Sequence, residues 1–171
     1  MSLRSTFWTL TPETAQVRLS GADTHRRRCW QVKVLLVDDS KAIRLANQQA
    51  LEHAGYDVIC AEDGEAALSL AQSQPVDMIL LDMMLPKLNG VEVLKRLKDD
   101  ARTAQIPVVV LSSLSEKNRS KLIEAGAEAY LEKNTLMPQY GVNLLPRALE
   151  DVICRINRRL GVSFPSVRKG P

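Results

Sequence analysis

Five short runs built mainly from Val, Ile and Leu recur through the chain, and they limit the possible fold more than any other feature. They read VKVLLV (32–37), YDVICA (56–61), DMILLD (77–82), IPVVVLS (106–112) and AYLE (129–132). A strand with one wet face alternates polar and apolar residues, whereas a strand covered on both faces can stay apolar along its length. Amphipathic segments fill the gaps at 41–54, 64–73, 90–99 and 116–126, and a fifth follows at 145–160. Parallel strands need crossovers of that length, and right-handed crossovers wind helices onto both faces of the sheet. The expectation is an α/β fold, a doubly wound parallel sheet of five strands in the order (βα)5. Local punctuation agrees. Ser40 stands where it could cap the first helix, Gly55 and Gly126 where the first and fourth helices should end, and Pro75 and Pro107 outside the helical stretches.

Size and charge bound what such a fold can do. A chain of 171 residues, 45% hydrophobic and 25% charged, supports one domain with a sizeable core. We expect that domain at 32–160, a flexible N-terminal extension at 1–31 and a short C-terminal tail at 161–171. No run approaches the ~20 apolar residues of a membrane span, and the N-terminus lacks the apolar segment of a secretory signal, so a soluble, cytoplasmic protein is expected. Cys29, Cys60 and Cys154 are odd in number and widely spaced, which argues against a disulfide framework or a thiolate zinc site. Cys60 and Cys154 fit core positions, and His25 and His53 read as solvated or structural. The formal net charge of +3 hides a division. Residues 1–31 and 155–171 hold five basic residues each and two acids between them, which leaves 13 basic and 18 acidic residues in 32–154, a net of −5.

Part of that acidity falls at strand ends. Asp38 and Asp39 follow the first run, Asp82 ends the third, Ser112 ends the fourth and Lys133 follows the fifth. In a doubly wound sheet, ligands bind beyond the carboxyl ends of the strands. Three carboxylates gathered there repel one another unless a cation joins them. Oxygen ligands alone, with no thiolate or imidazole, favour Mg2+. A carboxylate can attack phosphorus, and Asp82, standing apart from the adjacent pair, is the better placed nucleophile for forming an aspartyl phosphate. The Lys133 ammonium and the Ser112 hydroxyl could then contact other phosphoryl oxygens. Taken singly these residues have ordinary roles: adjacent aspartates often cap helices, and Tyr130 is by default a core or interface aromatic.

Longer stretches make the pattern recognisable. "DMILLDMMLPKLNGVEVL" places an apolar strand before Asp82, a Pro four residues later and a Gly eight residues later; "VDDS", "VVVLSS" and "AYLEK" supply the rest. With these motifs, residues 32–160 resemble the receiver domain of bacterial two-component response regulators. The resemblance implies a flavodoxin-like receiver fold with strand order 2-1-3-4-5 and Asp82 as phosphoacceptor. It implies Mg2+ held by Asp39 and Asp82, by Asp38 through water and by the Met84 carbonyl. Lys133 becomes the family's lysine, and Ser112 and Tyr130 its switch residues.

The same resemblance implies partners and a signalling role. A sensor histidine kinase or phosphotransfer protein would supply the phosphoryl group, and slow hydrolysis would reset the domain, which is otherwise no turnover enzyme. Output would pass to a downstream protein through the face of the fourth helix, fifth strand and fifth helix, with phosphorylation-dependent homodimerisation also open. Met84 and Leu114 would flank the phosphoryl pocket, and two apolar residues there imply a long-lived phosphorylated state.

Two departures stand out. The family usually has Pro after the lysine, commonly through a cis peptide, whereas this chain has Asn134, and the link at 134–146 is longer than usual. Among rival readings, "RRRCW" and "RINRRL" could contact nucleic-acid phosphates, but nothing resembles a base-reading motif, so no specific DNA binding is expected. An aspartate-dependent phosphatase would want an Asp-x-Asp pattern near the first strand.

Overall fold

The computed structural model describes residues 32–113, 119–136 and 143–160. Each apolar run forms a strand: β1 (Lys33–Val37), β2 (Asp57–Ala61), β3 (Met78–Asp82), β4 (Val108–Ser112) and β5 (Ala129–Glu132). All pairings are parallel, in the order β2-β1-β3-β4-β5. The sheet is thus the expected doubly wound one, with the change of direction between β1 and β3. The helices are α1 (Lys41–His53), α2 (Gly64–Ser73), α3 (Gly90–Asp99), α4 (Arg119–Glu124), α5 (Lys133–Leu136) and α6 (Leu145–Leu160). The single turn α5 was not anticipated, so the helix expected as the fifth is α6. No helix among the described residues is long and apolar enough to cross a membrane.

Side-chain alternation explains how apolar strands serve two cores. Val34 and Leu36 of β1, with Met78 and Leu80 of β3, face Leu51 of α1 and Leu149, Val152 and Ile156 of α6. Leu35 and Val37, with Ile79 and Leu81, face Ala67 of α2, Val93 and Leu97 of α3 and Leu122 of α4. Every residue of β3 and β4 is buried. Burial of each such Leu or Ile contributes about 2 kcal/mol.

Helix boundaries largely follow the local chemistry. Asp63 and Asn89 cap α2 and α3 by accepting the Ala66 and Glu92 N–H groups. Gly55 and Gly126 take φ values of 94° and 99°, the left-handed conformation that ends a helix at least cost to glycine. Two expectations need correction. Ser40 occupies the cap position of α1, but its side chain makes no capping bond. Cys60 is partly buried and packs against the core as expected, but Cys154 is exposed; it follows Ile153 of the buried stripe, and the turn of one residue carries it out to solvent.

Candidate functional site

The ends of β1, β3 and β5 bring Asp38, Asp39, Asp82 and Lys133 together. Asp38 extends the pairing of β1 by donating its N–H to the Ala61 carbonyl at 3.2 Å, and its side chain is fully buried. Its Oδ1 accepts the Ser40 N–H at 2.9 Å. Asp39 is exposed. Asp82 closes β3 at 2% exposure, and its Oδ1 accepts the Met84 N–H at 3.1 Å. One carboxylate oxygen from each of Asp38, Asp39 and Asp82 lies within 4.8 Å of the others.

Lys133 enters this cluster from the end of β5. Its Nζ donates to Asp38 Oδ2 at 2.8 Å and to Asp82 Oδ2 at 2.6 Å. Burial alone would lower the pKa of the ammonium, but the two hydrogen bonds and the two carboxylate charges outweigh burial and hold it above its ordinary value. Three carboxylates against one ammonium leave a formal charge of −2. A set of oxygen donors with that deficit fits a small hard divalent cation such as Mg2+.

Residues 34–139 match the response regulator receiver domain. The chain belongs to that family. Among curated relatives, the receiver is 40% identical to a gliding motility regulatory protein of Myxococcus xanthus over 134 residues, 78% of this chain and 17% of that protein. It is 38% identical over 135 residues to the alkaline phosphatase synthesis transcriptional regulatory protein PhoP of Bacillus subtilis, 78% of this chain and 52% of that one. The chain therefore spans about half or less of the length of these relatives. Chemotaxis protein CheY4 of Vibrio cholerae superposes with a TM-score of 0.63 at 30% identity, covering 71% of this chain and 98% of CheY4. The receiver domain of a Pseudomonas aeruginosa sensor histidine kinase, solved with a magnesium ion in its active-site cleft, gives 0.59 at 27% identity, with coverage of 71% and 96%. Receivers are signalling domains that bind Mg2+ at an acidic site and interact with histidine kinases.

In this receiver the rows of the sheet divide the other residues between two faces. Asp82 continues the β3 row of Met78 and Leu80 on the α1/α6 side. Ser112 continues the β4 row of Val108 and Val110, and Tyr130, paired with Val110, packs on the same α2/α3/α4 side. Ser112 is fully buried and Tyr130 is 8% exposed. Met84 is exposed at 63%. Leu114 lies outside the described residues, as do residues 1–31 and 161–171 and the middle of the 134–146 link.

The loop after Asp82 is shaped by close approach. A Cβ on Gly90 would collide with the Asp82 carbonyl oxygen and lie 2.6 Å from Met83 Cα, so only glycine lets α3 start there. Lys87 adopts φ 62° in a tight turn closed by the Leu88 N–H on the Pro86 carbonyl at 2.7 Å. Its Nζ reaches Asp63 Oδ2 at 2.8 Å and ties the loop to the start of α2.

Sequence reasoning missed Arg44. Its Nη1 donates to the Asp38 carbonyl at 2.6 Å, and its Nη2 lies 3.8 Å from Glu62. A cation one turn into the helix after an acidic pair is the only signal that could have pointed to it. Asn134 follows Lys133 inside α5, and the described residues contain no cis peptide.

Proposed function

We propose that this chain acts as the phosphoacceptor of a two-component relay, with Asp82 as the acceptor and residues 32–160 as its receiver unit. A carboxylate oxygen of Asp82 attacks phosphorus, the bond to a histidine nitrogen of a kinase or to the oxygen of a small acyl phosphate breaks, and the leaving group departs with that electron pair. The product is an acyl phosphate on Asp82. Asp39 and Asp82, Asp38 through water, and the Met84 carbonyl are the groups that would hold Mg2+. When bound, the ion supplies positive charge to the phosphoryl oxygens. Lys133 neutralises a further oxygen, and the Ser112 hydroxyl donates to another. The observation that carries this reading is Lys133 Nζ held between Asp38 and Asp82, a cation already stationed where phosphoryl charge would arrive.

The signal would leave through Tyr130. Drawing Ser112 toward the phosphoryl group vacates space on the α4 side of the sheet, and Tyr130 turns into it, shifting a pre-existing equilibrium of the face formed by α4, β5 and α6. A downstream protein, or a second copy of the chain, then reads that face. Separation of the acidic pair after β1 from the acceptor on β3 supports this reading over an aspartate-dependent phosphatase.

Intact-mass spectrometry after incubation with acetyl phosphate and Mg2+ tests the proposal. One phosphate-sized gain is expected in the parent and none in Asp82→Asn. An equal gain in both would refute it.

A further inference from the structure

Asn47 is out of character for its position. It and Leu51 are the buried residues of α1, so the helix turns a polar amide toward the core at 3% exposure. Such burial is unfavourable unless the amide finds a partner. Its Oδ1 accepts Asn143 Nδ2 at 2.8 Å, across 96 residues of sequence. The orientation of Asn143 is fixed in turn, because its Oδ1 accepts the Leu145 N–H at 2.9 Å where α6 begins.

The chain of contacts continues to the lysine. Leu144, next to Asn143, donates its N–H to the Leu136 carbonyl at 2.9 Å. Leu136 is the last residue of α5, is buried, and lies one turn beyond Lys133, the first. Asn47, Leu111, Lys133, Leu136 and Leu145 together line a cavity of about 10 Å³. That is no more than one water occupies, so the place is a packing junction and not a ligand pocket.

We infer that Asn47 and Asn143 are positioning residues for Lys133: their hydrogen bond pins the segment that carries the lysine against α1. The inference rests on the phosphoacceptor reading for its functional meaning. Lys133 is held at its ammonium by Asp38 and Asp82, and in its backbone by the path from α5 through Leu144 and Asn143 to Asn47. During phosphoryl transfer the ammonium must exchange carboxylate for phosphoryl oxygens. The lower tie keeps the lysine in place while its upper contacts change. An apolar side chain at position 47 would fill the core but would supply no directional bond across to the link.

The test uses the full chain and the double variant Asn47→Leu/Asn143→Ser. Leu fills the core position, the Ser hydroxyl can still accept the Leu145 N–H, and the cross-bond is gone. Removing both partners avoids the unpaired buried amide that Asn143→Ser alone leaves. We expect phosphoryl uptake from acetyl phosphate at saturating Mg2+ to slow about tenfold. We also expect the Lys133 Nζ resonance in nitrogen-15 spectra, sharp while two carboxylates hold the ammonium, to broaden beyond detection. A Lys133 resonance unchanged from the parent overturns the inference. Should the double variant fail to fold, Asn143→Ser is read in the same two ways below its melting temperature. The resonance needs no phosphorylation, so a parent that takes up no phosphoryl group contradicts the proposed function alone.

Discussion

Lys133 Nζ lies 2.6 Å from Asp82 Oδ2, joining the ends of two strands that are not neighbours in the sheet and residues 51 positions apart. The same nitrogen is 2.8 Å from Asp38. Two buried carboxylates are thus made tolerable by one ammonium, which occupies oxygens that a metal ion or a phosphoryl group would also engage.

Removing that ammonium leaves Asp38 and Asp82 facing each other. Lys133→Met should destabilise the metal-free protein by about 3 kcal/mol, read by urea unfolding, because a broken buried pair strands its charges. Saturating Mg2+ should recover much of that loss. Calorimetric titration should show tighter Mg2+ binding than in the parent, since the ammonium no longer competes for Asp38 Oδ2 and Asp82 Oδ2.

Stability at alkaline pH should follow the same residue. The folded-state pKa of Lys133 lies above its ordinary 10.5, so its contribution is complete below that value and is lost as pH rises through the folded value. Burial, then Glu150 and Cys154, push Tyr56 upward, so this tyrosine destabilises the fold in the same range. The difference between parent and Lys133→Met isolates the lysine. It should stay flat up to about pH 10 and shrink above it.

Gly90→Ala should cost about 2 kcal/mol in chemical unfolding, because the added methyl group meets backbone and not a movable side-chain end. The clash falls on the Asp82 carbonyl, so phosphoryl uptake should slow as well.

Met84→Asn with Leu114→Glu should shorten the lifetime of the phosphorylated state. Met84 lies two residues after Asp82, is 63% exposed and offers no side-chain hydrogen bond to an attacking water. Autodephosphorylation followed by intact mass checks this, and an unchanged half-life would count against a shielding role.

Much of this arrangement could be read before any coordinates. Continuous apolar runs such as MILLD and VVVLS specify strands buried on both faces, and the rule that strand ends gather ligands brings Asp38, Asp82 and Lys133 together. What escaped detection depended on local or long-range polar contacts that leave no periodic trace. Four residues, KNTL, are too few to show helical spacing, so α5 was invisible. Ser40 looks like a cap, yet the Asp38 carboxylate engages its backbone N–H. Asn47 gave no warning of its burial, because its partner Asn143 lies 96 residues away.

Reduction of the phosphorylated chain with borohydride, followed by peptide sequencing in the mass spectrometer, identifies the phosphorylated residue directly. Borohydride converts an aspartyl phosphate to homoserine and so marks the acceptor. If Asp82 is the acceptor, the mark falls at position 82 alone and depends on Mg2+. A mark at position 38 or 39, or none after a verified mass gain, would contradict that assignment.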